Sequence, residues 1–404
     1  MLKNIYLHTD FIHFWWDVGK ASREGTCKWK NDMKNTWHLC FSAGDEVLFR
    51  DLEDFNRGFN TFALALYKTD STGLVEAFMS NHCHLLVQSA LPTDFMHDFR
   101  HSYTMYFNRK YSRPGKLGEK MHFSMEVVGY HHILAAMSYI LRNPLHHGVV
   151  SIPYAYHHSS VNSIFMTAMW KKPEDRLLHP RYYHRHIGKT ADFPDSYKMS
   201  DSGLFLRETV LDIPQVENLF VTPRAFNYYM SRKSSEEWEA EQQKDRNNVL
   251  PINLKTIESV RDARDYEKML IYESGKADYR RPTDLDVCTL IDKTILPRYG
   301  KPSVYLLTEK EKQMIAENLY RQYHITESQI RRCLVMWGIA WYVADCNTSL
   351  WVLSVWNTFS TFGRSFGSHC LTLHICESVF RKSFTENVEV FLDQRMKRTT
   401  LTCV

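Results

Sequence analysis

Two histidines separated by one residue, His82 and His84, open the apolar run Leu85-Leu86-Val87 in the segment FMSNHCHLLVQS. On a β-strand alternate side chains share a face, so the two imidazoles project together and Cys83 turns away. Two imidazoles so placed can share one divalent ion. The spacing alone is a weak signal, because a chain with 20 histidines produces such a pair by chance. The adjacent pairs at 131–132, 146–147 and 157–158 send their members to different faces, which makes them poorer chelators on geometry.

A second constellation lies in YHHILAAMSYILRNP, where Ile133, Ala136, Met137 and Ile140 form an apolar helical stripe. Tyr139 lies beside that stripe and Asn143 falls one helical turn later, so a phenol and a carboxamide leave one face of one helix. If that face meets the strand carrying the histidines, one nucleophile and three metal ligands come together. Two imidazoles and an amide oxygen leave coordination positions open, which suits Mg²⁺ or Mn²⁺ holding a phosphate oxygen. The plainer alternative is a packing tyrosine followed by an asparagine that ends the helix.

The elements that must position these groups are legible between about residues 31 and 165. TWHLCFSA (36–43) reads as a strand. Asp51 to Lys68 reads as a helix with Leu52, Phe55, Phe59, Leu64 and Leu66 on its apolar side. GLVEAFMS (73–80) and HCHLLVQS (82–89) read as two strands joined by a tight turn at Ser80-Asn81. Helices over 93–112 and 128–142 follow, separated by the loop SRPGKLGEK. The second is expected to stop near Arg142, because Pro144 disfavours helical dihedrals at Asn143.

Three segments in this order resemble one family. FMSNHCHLLVQS resembles the histidine signature of the HUH-superfamily single-tyrosine transposases, especially the REP-associated group. YTMYFNRKYSRPGKLGEKMHF (103–123) is similar to the Asn/Arg-rich segment that follows it there. MSYILRNPLHHGVV (137–150) is similar to the segment that ends the nucleophile helix. The resemblance spans residues of about 36 to 165, a third of the chain. It implies an α+β fold, a ferredoxin-like antiparallel sheet with flanking helices. It also implies His82, His84 and Asn143 as metal ligands for Mg²⁺ or Mn²⁺, and Tyr139 as the nucleophile that cleaves single-stranded, hairpin-bearing DNA through a 5′-phosphotyrosine. Two departures are Cys83, where a bulky apolar residue is usual, and Ser80 in place of proline, which is expected to loosen the turn.

Around the loop, Arg100, Arg109, Lys110, Arg113, Lys116 and Lys120 oppose only Glu119, with Tyr103, Tyr106, Phe107 and Tyr111 interleaved. Cations for phosphates with rings for unstacked bases suit single-strand binding, while a helix burying its rings is the plain alternative. Over residues 301–336, capping boxes at Thr308/Glu311 and Thr326/Gln329 start two helices with a short join. Met314, Ile315 and Leu319 are expected inside, and Arg331 and Arg332 outside to meet DNA. This reads as a helix-turn-helix in a mainly helical C-terminal region, or else as a structural helical hairpin.

At 404 residues the chain has room for two or three domains, and a net charge of +4 requires any basic surface to be local. An N-terminal extension (1–30) precedes the 31–165 domain. A connecting region (166–300) includes the charged stretch KSSEEWEAEQQKDRNN, and the tail (337–404) holds four of the ten tryptophans with little periodicity. That tail is either a small subdomain or the product of a reading-frame shift. No run approaches the roughly 18–20 apolar residues that span a bilayer, and no secretory segment is evident. Nine cysteines lack paired spacing and read as reduced thiols, so a cytoplasmic, nucleoid-associated monomer or homodimer is the expectation. Two rival functions remain. One is a catalytically inactive DNA-binding regulator on the same fold. The other is a relaxase or replication initiator, a class that usually carries a third metal histidine and often helicase segments; the chain has no P-loop.

Overall fold

The computed structural model describes residues 34–169, 176–231, 240–245 and 282–336. The expectations for residues 1–30, for most of the charged stretch and for the 337–404 tail fall outside them.

The order of the first elements is β1 (Asn35–Ser42), α1 (Leu52–Lys68), β2 (Thr72–Phe78), β3 (His82–Ser89), α2 (Pro92–Tyr111), β4 (Phe123–Glu126) and α3 (Tyr130–His146). The sheet runs β2-β3-β1-β4, with every neighbouring pair antiparallel. This is the β-α-β-β-α-β ferredoxin-like arrangement. The edge strand β4 was not anticipated. Its four residues, Phe-Ser-Met-Glu, alternate only twice and sit in what reads as a loop, so its pairing with Trp37–Cys40 arises from tertiary contact.

One face of the sheet carries the aromatic core. Asp51 caps α1 by accepting from the Asp54 N–H at 2.9 Å, and the helix then buries Phe55, Phe59, Phe62 and Leu66. Leu52, expected inside, is exposed, because it precedes the point where the helix meets the sheet. α2 buries Phe95, Phe99, Tyr103, Phe107 and Tyr111, residues three or four apart and therefore on one stripe. Phe62, Phe78 and Phe99 meet edge to face at 6.3 Å, and Phe41 from β1 meets Phe99 at 6.0 Å. The buried rings of α2 are thus committed to packing, which removes Tyr103, Phe107 and Tyr111 as stacking platforms for bases. Tyr106 is half-buried with its hydroxyl on Asp54.

α3 packs on the opposite face, over β2 and β3. Contrary to the expected stop near Arg142, it continues to His146 with Pro144 inside it. A proline removes its own N–H from the helical ladder and crowds the carbonyl four residues before it, but leaves the neighbouring donors in place. The His147 N–H still reaches the Asn143 carbonyl at 3.1 Å, and buried packing holds the last turn together.

The C-terminal helical segment docks on the same domain. Arg332 is fully buried and paired with Asp284 through two contacts of 2.7 Å, so it does not lie on an outer helix face as expected. Arg50 pairs with Asp292 at 2.7 and 3.0 Å and donates to the Cys333 carbonyl. Helix Glu309–Tyr323 has the Thr308/Glu311 capping box, whereas Thr326 makes no side-chain cap to helix Glu327–Leu334. Gln329 donates instead to the Pro282 carbonyl, drawing the second helix toward helix Asp284–Leu290. Met314 faces outward, because the core side is taken by Ile315 and Leu319. Arg331 is partly exposed and pairs with Glu327 on its own helix. Among the described residues, no helix is long and apolar enough to cross a membrane.

Arg332→Ala would leave Asp284 buried without its counter-charge. A loss of about 3–5 kcal/mol is expected for such a break. It should appear as a lower urea midpoint and faster amide exchange across 282–336.

Candidate functional site

The register of β1 against β3 builds the site. Ser42 lies opposite His82 and Cys40 opposite His84, so the even-numbered residues of both strands, including His38, share the face beneath α3. Cys83 lies opposite Phe41 on the other face, among the aromatic core. Burial pushes the Cys83 thiol well above its ordinary range, so it stays protonated and apolar in character.

From α3, Tyr139 and Asn143 reach the histidine face. The Tyr139 ring stands edge-on to His84 with centroids 5.5 Å apart, and the Asn143 amide nitrogen lies 3.5 Å from the Tyr139 hydroxyl. The Asn143 amide oxygen lies 3.1 Å from His82 Nε2. All four residues are enclosed: His82 and Asn143 are 0% exposed, and His84 and Tyr139 2%.

The hydrogen-bond inventory shows what this cluster lacks. His82 Nδ1 lies 2.8 Å from Asn81 Oδ1, an acceptor that selects the Nδ1–H form and leaves a lone pair on Nε2. That lone pair faces Asn143. With the amide oxygen turned to it, two acceptors confront each other, an arrangement a shared cation satisfies; with the amide turned over, the ring accepts from the NH₂ instead. His84 Nδ1 meets His38 Nε2 at 3.0 Å, while His84 Nε2 is buried with no hydrogen-bond partner among the described residues. A buried polar atom left so costs about 1–3 kcal/mol. An orphaned imidazole nitrogen beside a second lone pair and an amide oxygen fits a divalent cation. No three His, Cys, Asp or Glu side chains among the described residues form such a set, so a three-ligand site depends on the Asn143 amide.

Burial lowers His82 to about 4, with the charge of Arg332 adding to the effect, and lowers His38 to about 3. His84 lies well below the usual range through burial and then through the neighbouring imidazoles of His82, His38 and His147. These rings are neutral at physiological pH, the form in which imidazole binds metal.

Three further histidines crowd the cluster. His38 on β1 was not singled out, although its even position relative to Cys40 and Ser42 was a readable signal. The pair 146–147, set aside on geometry, does converge here. The end of α3 stacks His146 on Tyr139 at 5.8 Å and sets His147 edge-on to His82 at 5.4 Å.

The cations expected to grip DNA separate into two groups. Lys110 bonds Asp51 and Asp54 at 2.8 Å, Arg113 bonds both oxygens of Glu46, and Arg100 lies over Phe41 and donates to the Glu119 carbonyl. Arg109, Lys116 and Lys120 are exposed.

No family model matches the chain, and no curated protein matches it. Among solved structures, it is similar to a REP-associated tyrosine transposase bound to a REP hairpin. The alignment has 10% identity and a TM-score of 0.31, and it covers 34% of this chain and 84% of the other.

Since Cys83 is fully buried in the aromatic core, native protein at pH 8 should resist iodoacetamide at this residue. Peptide mapping should show labelling only after denaturation, and labelling of the folded chain would show that the thiol is not packed in that core.

Proposed function

We propose that this chain is a transposase-like DNA nuclease and strand transferase acting on single-stranded, hairpin-bearing DNA. The observation that carries the reading is the meeting of His82 and His84 on one strand face with Tyr139 and Asn143 on one helix face. The segment-by-segment resemblance to REP-associated transposases supports it independently of that geometry.

His82, His84 and Asn143 would hold Mg²⁺ or Mn²⁺, which when bound polarises a phosphate oxygen and offsets charge in the transition state. Tyr139 Oη releases its proton to solvent and attacks the phosphorus, and the bond to the 3′ oxygen breaks. The 5′-phosphate stays on the tyrosine, and the departing strand takes a proton to become a 3′-hydroxyl. Because the phosphotyrosine keeps the energy of a phosphodiester, another 3′-hydroxyl can reverse the step and join strands. The amide of Asn143 lies between His82 and the phenol, 3.1 Å from His82 Nε2 and 3.5 Å from the Tyr139 hydroxyl, so nucleophile and candidate ligands are close neighbours. Since the cluster is enclosed, DNA binding must displace side chains over Tyr139 before a phosphate can enter. That enclosure also favours a second reading, a DNA-binding regulator that never opens the site.

The two readings differ in a labelled-oligonucleotide assay with Mn²⁺. Wild-type protein is expected to form a denaturant-resistant covalent adduct, and Tyr139→Phe to bind the hairpin within about twofold while forming none. An adduct in Tyr139→Phe would assign the nucleophile elsewhere; binding without any wild-type adduct would favour the regulator.

The exposed cations make a separate prediction. Replacing Arg109, Lys116 and Lys120 together by alanine should flatten the slope of log K against log salt by about 2 for single strands. Replacing Lys110 and Arg113 should change that slope far less, because carboxylates already occupy both.

A further inference from the structure

We propose that His38 is a positioning residue for the metal site, accepting a hydrogen bond from Nδ1–H of His84 and thereby turning the His84 Nε2 lone pair toward the cation. The proposal rests on the metal-site reading above and adds a residue to it.

Two ring nitrogens, His38 Nε2 and His84 Nδ1, face each other at 3.0 Å in a fully buried pair. Between neutral imidazoles such a contact needs one donor and one acceptor, so the pair has two states. If His38 donates, His84 carries its only proton on Nε2 and cannot ligate through that atom. If His84 donates, its Nε2 becomes a lone pair, and this is the buried atom with no partner among the described residues. His82 is set in the same way from the other side, its Nδ1 bonded to Asn81 Oδ1. Each candidate ligand thus has its distal nitrogen held by a buried neighbour, the arrangement that fixes tautomer and ring orientation at imidazole metal sites.

The His38 ring is in turn wedged edge-on to Phe123 at 5.4 Å and to Tyr139 at 6.1 Å. Its other nitrogen, Nδ1, has no partner among the described residues. In the proposed state that atom carries the proton. A purely structural side chain at this position would be better served by an apolar residue, which would strand no polar atom. His38 acts through His84 and is not itself a ligand.

The test uses the full chain in three forms: wild type, His38→Leu and His38→Gln. Glutamine can present an amide oxygen near the position of Nε2, whereas leucine fills the space without an acceptor. Mn²⁺ affinity, read by electron paramagnetic resonance, is expected to fall about 10–100-fold in His38→Leu and to stay within a few-fold of wild type in His38→Gln. Independently of metal, long-range ¹⁵N–¹H spectra of histidine-labelled apo protein should show His84 as the Nδ1–H tautomer in wild type and His38→Gln. His84→Gln identifies its peaks. Wild-type His84 found as the Nε2–H tautomer, or unchanged Mn²⁺ affinity in a folded His38→Leu, overturns the proposal. If wild type binds no Mn²⁺, the metal reading fails on its own, and the apo tautomer alone decides whether His38 orients His84. Should His38→Leu not fold, the wild-type and His38→Gln spectra still decide.

Discussion

Everything at the candidate site depends on the antiparallel register between β1 and β3. A strand's side chains alternate with period two, so a slip of one residue would send His82 and His84 into the aromatic core and bring Cys83 beneath α3. The register is held because the two faces differ so strongly. Leu39, Phe41, Cys83, Leu85 and Val87 fit only the side packed by α1 and α2, where Phe62, Phe78 and Phe99 interlock. The apolar half of each strand therefore fixes where the polar half must go. Chemistry on one face is positioned by packing on the other.

The helix-side half faces a harder constraint. Five imidazoles, a phenol and a carboxamide crowd one largely enclosed cluster, and burial lowers the rings of His38, His82, His84 and His146 so that they stay neutral. Neutral rings avoid the large penalty of buried charge but cannot donate from both nitrogens. The result is a chain of contacts, Asn81 to His82 to Asn143 and His38 to His84, with His84 Nε2 and His146 Nε2 left without a hydrogen-bond partner among the described residues. Stability alone would close such gaps with apolar side chains. The metal site proposed above would give their concentration beside one tyrosine a function.

Much of this was legible in the sequence because the strongest signals are local. β3 covers the run read over 82–89, α1 starts at its Asp cap, and the Tyr139–Asn143 spacing places both groups on one face without tertiary information. What was missed depends on contacts between distant segments. β4 forms only because β1 offers an open edge, and α3 passes Pro144 because burial holds its last turn. His146 and His147 converge because the helix end curls over the strand. The buried Arg332 shows the same limit: a charged residue near a helix end reads as solvent-facing until Asp284, 48 residues away, is seen opposite it.

The turn before His82 joins these themes. Serine at position 80, where the resembling family has proline, suggested a looser approach to the histidines. The structure shows hydrogen bonds that tie the turn on two sides. The Ser80 carbonyl accepts from the N–H groups of Leu48 and Phe49 at 2.8 and 3.0 Å, and its hydroxyl donates to Asp284 at 2.8 Å. Proline could keep the carbonyl contacts but not the hydroxyl bond. Asp284 is the same carboxylate that pairs with buried Arg332, so one side chain ties the turn, the N-terminus of helix Asp284–Leu290 and helix Glu327–Leu334 together. Serine is therefore matched to the docked helices: the hydroxyl supplies a tether where a proline ring would supply only stiffness. Two residues beyond that tether stands His82, one of the ligands proposed above. The C-terminal helices thus reach the candidate site through the Ser80–Asp284 hydrogen bond and the two residues of chain between Ser80 and His82.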